Sequence, residues 1–328
     1  MKELIAIVRH LAADPKEGAV LATLVSVEGS SYRRPGARLL LTADGERIGS
    51  ISGGCLEEDV LARARAVAAT GKPELVRYDT TSENDLVWGV GLGCHGIVQV
   101  LLERLPARPI WVTTLMVNLT GRRPTKLGVV WCGSDSAALG TRLASGTAAD
   151  RGIFLEDIHP PVSLLVFGAG DDARPLVRLA HELGWWITVA DPRAAFATEE
   201  RFPEADRVIC GPADQLVGLV KPEPGSLAVV MTHHYVHDVP VLSALLTRPL
   251  AYTGLLGPRK RAERILKDLK AGGLTINREQ FERLHAPVGL DLGAETPEEV
   301  AFSMLAEMQA TLTTRDARPL RERTGPIH

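Results

Sequence analysis

Apolar residues recur at helical spacing over residues 4–13 and stop at Asp14-Pro15, which predicts an opening amphipathic helix. Two apolar runs follow, residues 20–27 and 37–42, and each predicts a strand; a turn at Ala43-Asp44-Gly45 continues the second. Residues 56–69 predict a helix closed by Gly71 and Pro73. Residues 75–78 and 97–103 predict strands, and the polar, then glycine-rich stretch between them, 80–96, predicts a functional loop. Residues 112–117, the turn Gly121-Arg122-Arg123-Pro124 and residues 127–131 echo the strand–loop–strand spacing of residues 23–41. This echo is either a duplicated unit or chance. Residues 152–158 predict one more strand, and His159-Pro160-Pro161 reads as a stiff linker.

Beyond the linker the pattern changes. Apolar strand-like runs at 163–167, 186–190, 207–210, 227–232 and 250–253 alternate with helical spacing at 172–183, 239–246 and 259–270. Such alternation predicts a parallel sheet. A final helix, 296–311, opens on Thr296-Pro297-Glu298-Glu299, a capping box with proline at the first helical position. The expected fold class is α/β: an α+β mixed-sheet domain over residues 1–158, then a Rossmann-like parallel-sheet domain over 162–312. Residues 313–328 form a charged, polar tail.

Bulk numbers narrow the function classes. The chain has 328 residues, 45% hydrophobic and 23% charged, enough for two ordinary cores. A net charge of -3 argues against a general nucleic-acid or membrane-surface binder, so any basic site must be local. No apolar stretch is long enough to span a bilayer, and the first residues lack a signal-peptide pattern. The four cysteines, Cys55, Cys94, Cys132 and Cys210, form no Cys-x-x-Cys pair. A cytoplasmic protein with reduced thiols is expected.

The candidate chemistry lies in a few loops. Gly29-Ser30-Ser31-Tyr32-Arg33-Arg34-Pro35-Gly36 presents Arg33 and Arg34 as fixed cations on a shaped turn, and arginine suits a phosphate. Gly53-Gly54-Cys55 opens a helix, and a second glycine-flanked thiol follows in Gly91-Leu92-Gly93-Cys94-His95-Gly96. Glycine-flanked thiols beside fixed cations suit a thiol site that receives an anionic, phosphate-bearing ligand. Glu57, Glu58 and His95 read either as acid–base partners or as solvent-facing residues. Cys132 and Cys210 read as small buried hydrophobes on or just after strands.

In the second half, Gly168-Ala169-Gly170-Asp171-Asp172-Ala173 matches Gly-x-Gly-x-x-Ala between a strand and a helix, and Asp191 ends the next strand. That is the dinucleotide pattern, with Asp191 placed to accept from a ribose. Asp171 and Asp172, however, put negative charge where a pyrophosphate would lie. The segment Thr232-His233-His234-Tyr235-Val236-His237-Asp238 follows the fourth strand. It offers His233, His234 and His237 either as metal or proton-transfer groups or as polar crevice residues, with Asp238 as a helix cap. Arg259-Lys260-Arg261 sits at a helix start, where a bound phosphate or plain solvation would account for it.

Together these segments resemble the XdhC/CoxI family of accessory proteins to molybdenum hydroxylases. The resemblance also rests on Asp191-Pro192-Arg193, on Tyr252-Thr253-Gly254-Leu255-Leu256-Gly257, and above all on the run from His285-Ala286-Pro287-Val288-Gly289 through Leu290-Asp291-Leu292-Gly293-Ala294 to Glu295-Thr296-Pro297-Glu298-Glu299. It departs from the family pattern at Asp171-Asp172, at His95 and at His234-Tyr235. The resemblance implies a protein that binds molybdopterin-type molybdenum cofactor, protects it during sulfuration and delivers it to an apo-enzyme such as xanthine dehydrogenase. It further implies a cysteine desulfurase as partner and a homodimer. Carried onto this chain, the contacts are Cys55 or Cys94 to molybdenum or sulfur, with Arg33, Arg34, Gly53, Gly54 and Gly93 around them. Gly168, Gly170, Asp191, Arg193, His233, His237 and Arg259 are the candidates in the second half. Two other functions fit the residues: an NAD(P)-dependent oxidoreductase built on the Rossmann-like half, and a metal-dependent enzyme built on the histidine cluster.

Overall fold

A computed structural model of the chain describes residues 2–79, 96–133, 138–144 and 152–324. The chain divides into two compact units, Met1–Pro160 and Pro161–His328.

The first unit opens with helix α1 (Lys2–Ala13), strands β1 (Val20–Gly29), β2 (Arg38–Leu41) and β3 (Arg47–Gly49), and helix α2 (Glu57–Thr70). Strands β4 (Glu74–Asp79) and β5 (Gly96–Arg104) complete a five-stranded sheet ordered β3-β2-β1-β5-β4. Helix α3 (Ile110–Thr120) leads to strands β6 (Thr125–Val130), β7 (Gly140–Leu143) and β8 (Ile153–Ile158), a smaller sheet ordered β7-β6-β8. The unit is α+β as expected, and its described ladders are antiparallel rather than mixed.

Alternation along the strands sends side chains to two cores. Val20, Ala22 and Leu24 of β1 pack with Val60, Ala64 and Val67 of α2. Leu21 and Leu40 face the other way, onto Ile7 and Val8 of α1 and Trp111 and Leu115 of α3. Gly71 ends α2 in the left-handed conformation, its N–H bonded to Val67 O at 2.8 Å.

Residues 112–117 overturn an expectation. They lie in helix α3, not in a strand, so residues 112–131 do not repeat the strand–loop–strand unit. The buried positions Trp111, Val112 and Leu115 have helical spacing, with Met116 and Leu119 packed alongside. A short apolar run rich in branched residues fits either period, and here tertiary packing chose the helix.

The second unit alternates β9 (Ser163–Phe167), α4 (Ala173–Glu182), β10 (Trp186–Asp191), β11 (Arg207–Cys210), α5 (Leu216–Val220), β12 (Leu227–Val230) and α6 (Tyr235–Leu246). Strand β13 (Tyr252–Leu255), helices α7 (Arg259–Ala271) and α8 (Arg278–Glu282), strand β14 (Leu284–His285) and helix α9 (Pro297–Leu312) follow. The sheet is parallel throughout and ordered β11-β10-β9-β12-β13-β14. That is the doubly wound Rossmann order, with its switch point between β9 and β12. Leu164 and Val166 face α4 and α9 on one side; Leu165 and Phe167 face α5, α6 and α7 on the other. The capping box at Thr296 and Glu299 forms as the sequence predicts. No described helix is long and apolar enough to cross a membrane.

Candidate functional site

Strand β1 delivers the loop 30–37, and β3 delivers the loop 50–56, to the same end of the first sheet. There they form an open cleft of about 360 Å³ whose lining includes Tyr32, Arg33, Arg47, Ser50, Gly53 and Gly54. The two arginine- and glycine-bearing loops singled out in the sequence are thus neighbours in space. Gly53 and Gly54 are exposed, and Cys55 follows them, half-buried, one residue before the α2 N-cap at Leu56.

The loop is held from below by Glu57. Its buried carboxylate accepts from Ser50 Oγ at 2.8 Å, from the Ser52 amide at 2.9 Å and from the Ser52 hydroxyl. The Ser52 hydroxyl in turn accepts from the amides of Gly54 and Leu56, each at 3.2 Å. Burial alone would push the Glu57 carboxyl up; the hydrogen bonds from Ser52 and Ser50 outweigh it and hold the group below the ordinary carboxylate range. Glu57 is therefore neither solvent-facing nor a free acid–base group, while Glu58 is exposed.

Arg33 is engaged within the protein. Its guanidinium pairs with the Glu3 carboxylate at the start of α1 and donates to Ser50 O at 3.2 Å. Arg34 is exposed. Cys94, His95, Gly91 and Gly93 lie outside the described residues. Cys132 and Cys210 are exposed, which corrects the expectation that they are buried. Cys132 lies just beyond β6 and Cys210 ends β11, an edge strand of its sheet.

In the second unit the carboxyl ends of the strands carry a crest of ion pairs. Asp191 is fully buried and accepts from the Ala169 amide at 2.7 Å. It also accepts from Arg193, through the amide at 2.8 Å, Nε at 2.9 Å and Nη2 at 2.8 Å. Burial opposes its charge, but Arg193 and these amides hold the carboxyl below its ordinary range. Asp191 thus ties the glycine loop to the next strand, and its lone pairs are turned inward. Gly168 cannot be larger: a Cβ there would stand 2.4 Å from Met231 O, and its φ is +127°.

Asp171 pairs with Arg201 at 2.8 Å, and Asp172 with His233 Nε2 at 2.5 Å. His233 itself has a φ of +59°. Asp238 is not the cap expected: His234 occupies that position, and Asp238 lies inside α6, buried, accepting from Thr232 Oγ1 at 2.6 Å and Arg261 at 2.5 Å. His237 has a sheltered Nδ1 with no hydrogen-bond partner among the described residues, and its ring lies 5.4 Å from that of His234. Among the described residues no three His, Cys, Asp or Glu side chains converge into a group able to hold a metal. Arg259 and Lys260 are exposed at the start of α7.

The run beginning at His285 has a structural centre that sequence reading missed. Glu307 of α9 accepts from Tyr252 Oη at 2.5 Å and from the Gly289 amide at 2.9 Å, and it pairs with His285 Nδ1 at 3.1 Å. The Tyr252 and His285 rings stack at 4.1 Å. Acceptor and donors are too far apart in sequence for any spacing rule to join them.

Comparison with known proteins agrees with this architecture. A family model described as the XdhC Rossmann domain matches residues 164–308, and one described as the XdhC and CoxI family matches residues 12–79. A protein of Bacillus subtilis (strain 168), named as a probable subunit of xanthine dehydrogenase, is 35% identical, over 91% of this chain and 94% of that protein. The molybdenum cofactor insertion chaperone PaoD of Escherichia coli (strain K12) is 25% identical, over 89% of this chain and 83% of that protein. The crystal structure of a protein described as a xanthine dehydrogenase from Bacillus halodurans shares the fold with a TM-score of 0.82 and 30% identity, covering 98% of this chain and 99% of that one. The chain belongs to the XdhC and CoxI family.

Proposed function

We propose that this protein is an accessory protein that binds molybdenum cofactor as cargo, shields it during sulfuration and delivers it to a molybdenum hydroxylase. One observation carries the reading. The two loops that bear Arg33 and Gly53-Gly54-Cys55 meet in a single open cleft, as a carrier of a phosphate-bearing cargo requires. Likeness to a protein named as a molybdenum cofactor insertion chaperone, along most of both chains, supports it. In this reading Arg33 and Arg34 attract the cargo's phosphate, the two glycines leave room beside it, and Cys55 and Cys94 supply sulfur contacts. A cysteine desulfurase and the apo-hydroxylase are its partners, and it works as a cytoplasmic homodimer without turnover of its own.

A dinucleotide in the second unit is the alternative that the Rossmann strand order favours. An NAD(P) ribose could be held by Asp191 only if the Arg193 pair opened first. A pyrophosphate at α4 would have to displace Asp171 and Asp172 from Arg201 and His233. The first unit is therefore the stronger candidate for the cargo.

Anaerobic titration of molybdenum cofactor into wild type, Cys55→Ala and Cys94→Ala tests the reading. Wild type is expected to bind, and at least one variant to bind more weakly. A wild type that does not bind sinks the proposal; equal binding by all three removes the thiols from it.

A further inference from the structure

Three features of the cleft are not explained by its loops alone. Tyr32 is 71% exposed, and its ring lies over Gly53, where an added Cβ would come into ordinary contact with it, 3.7 Å from Tyr32 Cδ1. The rest of the ring is largely exposed. Arg47 enters the cleft from β3, exposed, and no carboxylate pairs with it among the described residues. Glu3 comes from a different element, α1, and occupies Arg33.

The charges of the lining balance while Glu3 is in place, with Arg33 and Arg47 set against Glu3 and Glu57. The two carboxylates are not equivalent. Glu57 is buried and fixed by Ser50 and Ser52, whereas the Glu3 side chain is 42% exposed and sits in one partly exposed ion pair. Such a pair is weak against an incoming dianion, because solvent already screens it. Glu3 is thus the anion that can leave, and its departure turns a neutral cleft positive. An aromatic face backed by a loop, beside two arginines, is a receptor for a flat ring carrying a phosphate. The cleft volume of about 360 Å³ suits a small molecule.

We infer that this cleft takes a planar heterocycle bearing a phosphate. Tyr32 stacks on the ring, Arg47 is a second phosphate contact, and the phosphate displaces Glu3 from Arg33. The inference rests on the cargo site proposed above and assigns the groups that read the cargo's organic part.

The probe is neopterin monophosphate, which is fluorescent and free of molybdenum, titrated into the full-length protein, with inorganic phosphate as competitor. Wild type is expected to bind with quenching of the pterin emission. Tyr32→Leu is expected to lose the quenching and weaken binding roughly tenfold; Arg47→Gln should weaken it comparably and flatten its salt dependence. Glu3→Gln is expected to tighten binding, since it removes the resident competitor. No binding by wild type, unchanged affinity in Tyr32→Leu and Arg47→Gln, or weaker binding in Glu3→Gln overturns the inference. A parallel titration with molybdenum cofactor separates it from the broader reading. If the pterin phosphate behaves as stated and the cofactor does not bind, the accessory role fails and the cleft stands. If the cofactor binds and ignores all three substitutions, the cleft fails and the accessory role stands.

Discussion

Glu57 concentrates the energetics of the thiol loop in one side chain, because three donors from two serines converge on a carboxylate with almost no exposure. Its proton affinity is lower in the folded protein than in the unfolded chain. The group therefore stabilises the fold above its ordinary value of 4.5, and that contribution is lost as pH falls through the lower folded value. Glu57→Gln is expected to destabilise by about 1–3 kcal/mol at neutral pH and to flatten the acid side of the stability profile. Urea unfolding of both proteins at neutral and acidic pH measures this, and parallel profiles would refute it. At this scale the sequence was informative about loops and poor about partners. Arg33, Gly53 and Gly54 were legible because glycine and proline shape turns locally. The Glu3–Arg33 pair, 30 residues apart, has no local signature. Cys132 and Cys210 were misjudged because strand membership alone does not say which end or edge a residue occupies.

Elements were legible where a local rule and the burial pattern agree. The Thr296 capping box and the Gly71 stop are such cases, whereas α3 is a case where two periods fit one run. The glycines offer a test of how far local rules reach. Gly168→Ala would press a Cβ to 2.4 Å from the Met231 carbonyl oxygen at a φ that side chains avoid. A loss of about 2 kcal/mol or more is expected. Gly218→Ala, inside α5 with nothing within 4 Å, is expected to be neutral or to stabilise by about 0.4–1 kcal/mol. Melting temperatures of the two variants check this; equal shifts would mean that backbone approach between the adjacent ends of β9 and β12 does not govern the glycine.

The whole chain carries separate cores in its two units, each completed by its own sheets and helices. Two resolvable calorimetric transitions are expected, with Gly168→Ala lowering one and leaving the other in place. A single transition that moves as a whole would show that the units unfold together. The second unit was readable at this scale because strand–helix alternation and right-handed crossovers leave few parallel topologies. The first was not. In it, β1 pairs with both β2 and the distant β5, and no sequence period encodes which distant strand becomes a neighbour.

The exposure of Cys132 and Cys210 bears on how the loop thiols can be studied. A maleimide, a crosslinker or an oxidant added to the wild-type protein meets these two accessible sulfurs before the half-buried Cys55, so adducts, mass shifts and intermolecular disulfides would report on them as well as on any loop thiol. Serine at both exposed positions should be nearly neutral for folding, as surface substitutions generally are. Of the four cysteines, such a protein keeps only Cys55 and Cys94, which makes any persulfide, spin label or alkylation signal a direct reading of those two thiols.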